Sequence, residues 1–179
     1  MTGESAAAVK AALAAGRKSG EFLADADLVA TGEYRLPGQK RRPEKRLVAP
    51  IVFELGARGS GFFITVPQGY VTDGYSLPGR MLQLFQPASA NFLLPAILHD
   101  WLYDVGSVPR DMCDRILLQA MRAVGVAAWQ RFFVYRAVRF GGAGGFAQPL
   151  PVNLACVRQA RESRAFDALL AHLKGASSV

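Results

Sequence analysis

Three apolar segments separated by two glycines constrain the fold of this chain more than any other feature of its sequence. Residues 90–104, 109–124 and 126–140 each carry Leu, Val, Phe and Ala at the i, i+3, i+4 spacing of an amphipathic helix. Gly106 and Gly125 follow the first two segments, as glycine often follows the end of a helix. The connections are short, so consecutive helices are expected to be antiparallel neighbours. The sequence therefore predicts a helical bundle.

Two shorter segments upstream of these helices predict a β-hairpin. Residues 47–55 and 62–66 are rich in β-branched and aromatic side chains, and residues 56–61 between them are rich in glycine. Downstream of the bundle, Asn153 is expected to cap a last helix that runs to about Lys174. The predicted fold class is α+β, with a small antiparallel β-hairpin or sheet packed on a bundle of three to four helices.

The same signals divide the chain into three parts. Residues 1–30 are predicted to be an N-terminal helical extension, residues 31–142 a core domain, and residues 143–179 a glycine-rich linker with a C-terminal helix. Two stretches of the core domain, residues 34–46 and 67–79, each contain two prolines and at least one glycine. This composition predicts loops, the first of them solvated because it is strongly basic.

The net charge of +7 favours an anionic partner, such as nucleic acid, a phospholipid surface or an acidic protein. The basic residues are densest between positions 35 and 46, where we expect any contact with DNA or phospholipid: Arg35, Lys40, Arg41, Arg42, Lys45 and Arg46. No apolar run approaches the roughly 20 residues of a transmembrane helix, and the first residues do not resemble a signal peptide. We therefore expect no transmembrane segment and no secretion by a signal peptide.

Side chains that can transfer protons or bind a metal ion are concentrated in the first predicted helix. His99, Asp100, Tyr103 and Asp104 lie within six residues, and helical spacing places His99 and Tyr103 on one face. Asp114 lies on the next helix, and antiparallel packing would let it face His99. The sequence thus predicts one His–Asp cluster built from two helices.

A further carboxylate, Asp73, lies on the loop upstream and is expected to join the cluster. A histidine oriented by a carboxylate can act as an acid or base near neutral pH. One imidazole among oxygen ligands would suit calcium, magnesium or manganese. The same residues are also compatible with a buried structural histidine bonded to Asp114, and the sequence alone leaves both interpretations open.

Several ordered motifs resemble domain of unknown function 1353: Val71-Thr-Asp-Gly-Tyr-Ser-Leu-Pro78, His99-Asp-Trp-Leu-Tyr-Asp104, Asp114-Arg-Ile-Leu, and Arg136-Ala-Val-Arg139 followed by Gly141. The resemblance covers about residues 47–142. That family occurs largely in bacteriophages, prophages and phage-like particles, and its name carries no established activity. The resemblance implies a phage or prophage context, with other particle proteins as partners and the host cytoplasm or the virion as location.

A fainter resemblance concerns calcium-dependent phospholipases that cleave the sn-2 ester, which carry a His-Asp-x-x-Tyr helix and an aspartate on a later helix. The resemblance implies that His99 is the base and that Asp114 orients it, with Tyr103 supporting Asp114. It also implies that Asp100 binds calcium. The loop around Asp73 would stand in for the glycine-rich calcium loop of those enzymes, and calcium or magnesium would be the cofactor.

Three classes of function remain open. The first is a structural or assembly component of a phage or phage-like particle. The second is a metal-dependent, phospholipase-like hydrolase that uses the His–Asp pair, and the third is a small module that binds a host factor. An enzyme needs the imidazole of His99 to reach a cleft, whereas a structural cluster would be sealed and fully hydrogen-bonded.

Overall fold

The computed structural model describes residues 20–23, 28–34, 42–56, 60–72, 89–164, 166–167 and 170–171. Six strands come first: β1 (Glu21–Phe22), β2 (Leu28–Tyr34), β3 (Arg42–Leu47), β4 (Ile51–Glu54), β5 (Phe63–Val66) and β6 (Val71–Thr72). They form two three-stranded antiparallel sheets with the orders β1-β4-β5 and β2-β3-β6. The predicted hairpin is the β4–β5 pair, in which Ile51 pairs with Val66 and Glu54 with Phe63.

The α-helices whose bounds are described in full are α1 (Ser89–Val105), α2 (Arg110–Ala123), α3 (Ala128–Gly141) and α4 (Leu154–Glu162). The first three agree with the predicted helices to within two residues at each end. Pro109 is the N-cap of α2. The predicted α+β class is confirmed. No helix in the described residues is both long and apolar enough to span a membrane.

The basic segment differs from its prediction. A solvated loop was expected over residues 34–46, but Arg42–Leu47 is a strand that pairs with β2 on one side and, at Lys45 and Arg46, with β6 on the other. The loop prediction is therefore wrong for these residues, because a ladder of backbone hydrogen bonds does not require apolar side chains. Pro43, which cannot donate to a ladder, lies where β6 does not reach. Residues 35–41 lie outside the described part of the chain.

The two ends of the chain are described only in part. Residues 1–19 of the predicted N-terminal helical extension lie outside the described residues, whereas its later positions contribute β1 and the start of β2. The C-terminal helix begins after Asn153 as predicted and ends at Glu162; Asp167, Leu170 and Ala171 are helical again, and the predicted end at Lys174 lies outside the described residues. Arg164 adopts a φ of 53° soon afterwards, a left-handed conformation that cannot continue an α-helix.

Two apolar clusters hold the elements together. The larger joins the β4–β5 hairpin to α1 and α2 through buried side chains such as Phe53, Val66, Leu98, Leu102 and Ile116. The smaller fills the space among α1, α2 and α3 with Phe92, Ala96, Leu117, Met121, Val126 and Val134. Burying each such side chain contributes about 1.5–3 kcal/mol. Polar groups on these helices are therefore fixed in a rigid frame.

The end of α1 lies against the segment that follows α3. Gly106 has a φ of 63°, and a Cβ at this position would lie 2.7 Å from the Cβ of Ala147. The Ala147 N–H donates a 2.8 Å hydrogen bond to the carbonyl of Tyr103. A glycine is required here because the left-handed turn and the close approach both exclude a side chain.

Candidate functional site

Two positions of α1 present the candidate acid–base groups. His99 and Tyr103 are one helical turn apart, and their ring centroids lie 4.1 Å from each other with a 43° tilt between the rings. Both residues are buried, with exposed fractions of 7% each. The fixed rings direct their polar atoms toward α2.

The carboxylate of Asp114, on α2, is the hydrogen-bonding partner of His99 and Tyr103. Its Oδ1 lies 3.0 Å from Nε2 of His99 and accepts a 2.6 Å hydrogen bond from the hydroxyl of Tyr103. Its Oδ2 accepts a 3.1 Å bond from a guanidinium nitrogen of Arg139 on α3. Asp114 is fully buried, so the carboxylate depends on these three donors in place of water. We call His99, Tyr103, Asp114 and Arg139 the Asp114 cluster.

The electrostatics of the Asp114 cluster favour an ionised carboxylate. Burial alone would raise the pKa of Asp114, but the hydrogen bonds from His99, Tyr103 and Arg139 outweigh it and lower that pKa below its ordinary value. An ionised carboxylate accepts hydrogen bonds and donates none. Nε2 of His99 must therefore carry the proton in this contact.

The imidazole of His99 is held in its neutral form. Burial lowers the pKa of His99 and outweighs the opposing influence of Asp114. With the proton on Nε2, the lone pair lies on Nδ1. No residue in the described part of the chain makes a hydrogen bond with Nδ1. Among the described residues, the result is a neutral imidazole with a fixed tautomer and no partner on its basic nitrogen, the arrangement that a general base requires.

A second polar cluster is centred on Asp104, the residue that follows Tyr103 on α1. The hydroxyl of Tyr70 donates a 2.9 Å hydrogen bond to Oδ2 of Asp104, and the side-chain amide of Asn153 donates a 3.2 Å bond to the same oxygen. Asn153 also bonds both backbone groups of Val71, accepting from its N–H at 3.0 Å and donating to its carbonyl at 2.8 Å. Asn153 was predicted to cap the last helix, but its side chain makes no cap hydrogen bond. It joins the C-terminal segment to β6 instead.

The proposed metal ligands are only partly described. Asp100 is half-buried on α1, and its Oδ2 accepts a 3.1 Å hydrogen bond from the hydroxyl of Thr72 at the end of β6. Asp73, which follows Thr72, lies outside the described residues. In the described ranges, no three His, Cys, Asp or Glu side chains are grouped so that they could hold a metal ion. The described residues alone do not complete a calcium or magnesium site.

Cysteine chemistry is not favoured at this site. Cys113 is fully buried beside Asp114, and burial, with a smaller contribution from that carboxylate, raises the pKa of its thiol to about 12. A thiol with so high a pKa supplies almost no thiolate at neutral pH. A cavity of about 270 Å³ lies elsewhere, between β5 and α4, lined by Phe63, Trp101, Cys156 and Phe166 among others. His99 does not line it.

Sequence reasoning identified three of the four members of the Asp114 cluster. Asp114 faces His99, as expected from the short connection between α1 and α2, and Tyr103 donates to the same carboxylate. The predicted convergence of Asp73 with His99 and Asp114 stays a prediction, because Asp73 lies outside the described residues. Their catalytic roles remain predictions. Arg139 was not predicted as a member, although it closes the last of the quoted family motifs, and no local pattern pairs it with Asp114.

The fold and the site define a class: an α+β protein whose helical bundle encloses a buried His–Asp pair. The chain belongs to the family described as protein of unknown function (DUF1353), whose model matches residues 46–138, more than half of the chain. The match includes His99, Tyr103 and Asp114 and ends one residue before Arg139. No curated protein and no solved structure matches the chain.

Proposed function

We propose that this protein is a hydrolase in which His99, oriented by Asp114, activates a water molecule. The observation that carries the proposal is the contact between Nε2 of His99 and Oδ1 of Asp114, at 3.0 Å inside the bundle. It fixes the tautomer and leaves Nδ1 as the basic atom. A general base requires a fixed tautomer of this kind, with its basic nitrogen turned away from the orienting carboxylate.

The chemistry follows from the positions of the protons. Nδ1 of His99 accepts a proton from water while the water oxygen attacks the carbonyl carbon of an ester. The imidazolium that forms is stabilised by the ionised Asp114, which remains ionised throughout. When the tetrahedral intermediate collapses, the imidazolium returns the proton to the leaving alkoxide. The products are a carboxylic acid and an alcohol, and the base is regenerated.

Tyr103 and Arg139 act as positioning residues. Both donate hydrogen bonds to Asp114 and neither contacts the imidazole through a hydrogen bond. By holding both carboxylate oxygens, they prevent Asp114 from rotating away from His99. Fixed dipoles and charges of this kind cost no reorganisation during the reaction.

The substrate class follows from the resemblance to phospholipases that cleave the sn-2 ester, so a phospholipid ester is proposed. If a metal takes part, Asp100 and Asp73 are the proposed ligands of calcium or magnesium, which would polarise the ester carbonyl. The neutral state of His99 supports a base that functions at neutral pH without prior deprotonation.

The test is hydrolysis of a panel of phospholipid and short-chain esters, with calcium, with magnesium and with EDTA. His99→Asn keeps a polar group of similar size but removes the base, so it should reduce the rate by roughly 10²-fold or more. His172→Gln, at the only other histidine of the chain, is the matched control and should retain the parental rate. Equal rates for the parent and His99→Asn would contradict the proposal.

A second candidate is a structural or assembly component of a phage or phage-like particle. It is favoured by the way Asp114 binds α1 and α3 to α2, since one buried carboxylate that links three helices is also a structural device. This candidate would place the protein in the host cytoplasm or the virion. It predicts that His99→Asn loses about 1–3 kcal/mol of stability, because Asp114 is left short of a donor, and that the parent hydrolyses no ester in the panel.

A further inference from the structure

Helix α3 carries large aromatic side chains on its outer side. Trp129, Phe132, Phe133 and Phe140 are exposed to 52%, 55%, 52% and 80% of their surface. Their spacing of three, four and seven residues places them within about 100° of one another around the helix axis. Arg136 falls in the middle of the same sector. We call these five residues the aromatic face.

The opposite side of α3 is already packed. Gln130 and Val134 are buried, and Val138 packs against the small apolar cluster of the bundle. The helix is thus apolar toward the core and apolar again toward the outside. The aromatic face is not the side by which α3 is held in the fold.

Three of the exposed rings, those of Trp129, Phe132 and Phe133, form one continuous surface. Phe133 lies with its ring centroid 6.4 Å from that of Trp129 and 5.6 Å from that of Phe132, both in edge-to-face geometry. The Arg136 guanidinium lies 5.3 Å from the centre of the Phe132 ring, in a cation–π arrangement. Continuous exposed aromatic surface of this kind marks an interaction site, whereas isolated exposed apolar residues do not.

The charge of α3 selects among the occupants that would cover such a face. The helix contains Arg131, Arg136 and Arg139 and no acidic residue. A symmetric contact with a second copy would bring Arg136 near Arg136 of that copy, with no carboxylate on this helix to compensate. An anionic bilayer surface offers what the face lacks: phosphate oxygens for Arg136 and an apolar layer for the rings.

We propose that the aromatic face docks on the surface of an anionic phospholipid membrane, with α3 lying in the plane of the interface. Trp and Phe on one side of a basic helix are the side chains that partition into the boundary between headgroups and acyl chains. Anionic lipids add an attraction for each nearby arginine. The 14-residue helix, about 21 Å long, presents its rings along most of this length. This binding requires no hydrolase activity and is distinct from any contact through residues 35–46.

The fluorescence of Trp129 can report contact between the aromatic face and a membrane. It has two tryptophans, of which Trp129 lies on the aromatic face and Trp101 is 2% exposed in the core. The full chain is mixed with vesicles of phosphatidylglycerol and phosphatidylcholine in equal amounts, and separately with pure phosphatidylcholine. Anionic vesicles should shift the emission of Trp129 to shorter wavelength, and brominated acyl chains should quench it. Trp129→Phe should keep the binding and lose both signals, since Trp101 does not reach the lipid.

Matched variants test whether this face makes the contact. Phe132→Ser with Phe133→Ser should weaken binding to anionic vesicles about tenfold or more in a sedimentation assay. Phe63→Ser, at a phenylalanine that is 54% exposed on β5, should change it less than about twofold. Arg136→Gln should weaken binding and reduce its salt dependence, and Arg158→Gln, at an exposed arginine of α4, should do so much less.

The proposal is overturned by any of three results. The first is no binding of the parent to anionic vesicles at low salt. The second is binding that the Phe132/Phe133 variant leaves unchanged, which would assign the contact to another surface. The third is a parental dimer in sedimentation equilibrium that becomes monomeric in that variant, without vesicle binding, which would assign the face to a second copy or another protein.

Discussion

The hydroxyl of Tyr103 donates a 2.6 Å hydrogen bond to Oδ1 of Asp114, the same oxygen that faces His99. Oδ1 is therefore shared between a tyrosine that only donates and an imidazole whose basicity depends on the carboxylate. Any change in the tyrosine bond is transmitted to the imidazole through one atom.

Tyr103→Phe should lower the free energy of unfolding by about 1.5–3 kcal/mol, the usual contribution of a hydrogen bond to a charged group. It should also raise the pKa of His99, because Oδ1 then has the imidazole as its main donor. Tyr70→Phe is the matched control, since it removes one hydroxyl bond to Asp104 without touching the Asp114 cluster. Urea denaturation and an NMR titration of the imidazole measure the two effects. Equal pKa changes in both variants would contradict the shared-oxygen argument.

The pH dependence of stability should reveal His99 directly. Because burial lowers the pKa of His99 below 6.5, the unfolded chain binds a proton at a higher pH than the folded chain. Stability from this residue is thus full above pH 6.5 and decreases as the pH falls toward the folded pKa. Urea denaturation between pH 7.5 and 5 should show this decrease in the parent and in His172→Gln but not in His99→Asn. A parent stability that is flat over this range would contradict a buried neutral His99.

Arg139 should control the acid sensitivity of the fold. The pKa of Asp114 lies below its ordinary value of 3.8, so this residue stabilises the fold above pH 3.8 and loses its contribution as the pH falls through the folded pKa. Arg139→Gln removes one of the donors that lower this pKa, and acid unfolding should therefore begin at a higher pH. Arg158→Gln removes the same charge from an exposed site of α4 and should leave the acid midpoint near that of the parent, as followed by circular dichroism.

Asn153 is fully buried, and its substitution should strongly lower the stability of the fold. Asn153→Ala leaves the buried N–H and carbonyl of Val71 without partners, at a cost of about 2–4 kcal/mol. Val152→Ala, at the neighbouring residue that is 46% exposed, should change stability by less than about 0.5 kcal/mol. Thermal and urea denaturation of the pair give the comparison, and similar losses in both would show that the amide bridge contributes little.

The parts of the structure that the sequence predicts well are those encoded locally. Helices α1, α2 and α3 follow from apolar spacing and from Gly106 and Gly125, and the β4–β5 hairpin follows from two β-branched segments around a glycine-rich turn. The facing of His99 and Asp114 was predictable as well, because a short connection forces α1 and α2 to be antiparallel.

The parts that were missed depend on partners distant in sequence. β3 is basic and contains Pro43, so its composition predicts a loop, and only its pairing with β2 and β6 makes it a strand. Arg139 reaches Asp114 across 25 positions, and Asn153 reaches Val71 across 82. Such contacts are decided by how the elements pack, and no local periodicity records them.

The position of Arg139 has a consequence for anyone who excises the family segment. The match ends at residue 138, and the next residue is the cation that neutralises Asp114. Further along, Arg161 donates to the carbonyls of Asp104 and Val105 at the end of α1, at 3.0 Å and 2.7 Å. A fragment of residues 46–138 would contain His99 and Asp114. It would lack Arg139, which pairs with Asp114, and Arg161, which bonds the end of α1. The segment that matches the family is therefore shorter than the segment expected to fold independently.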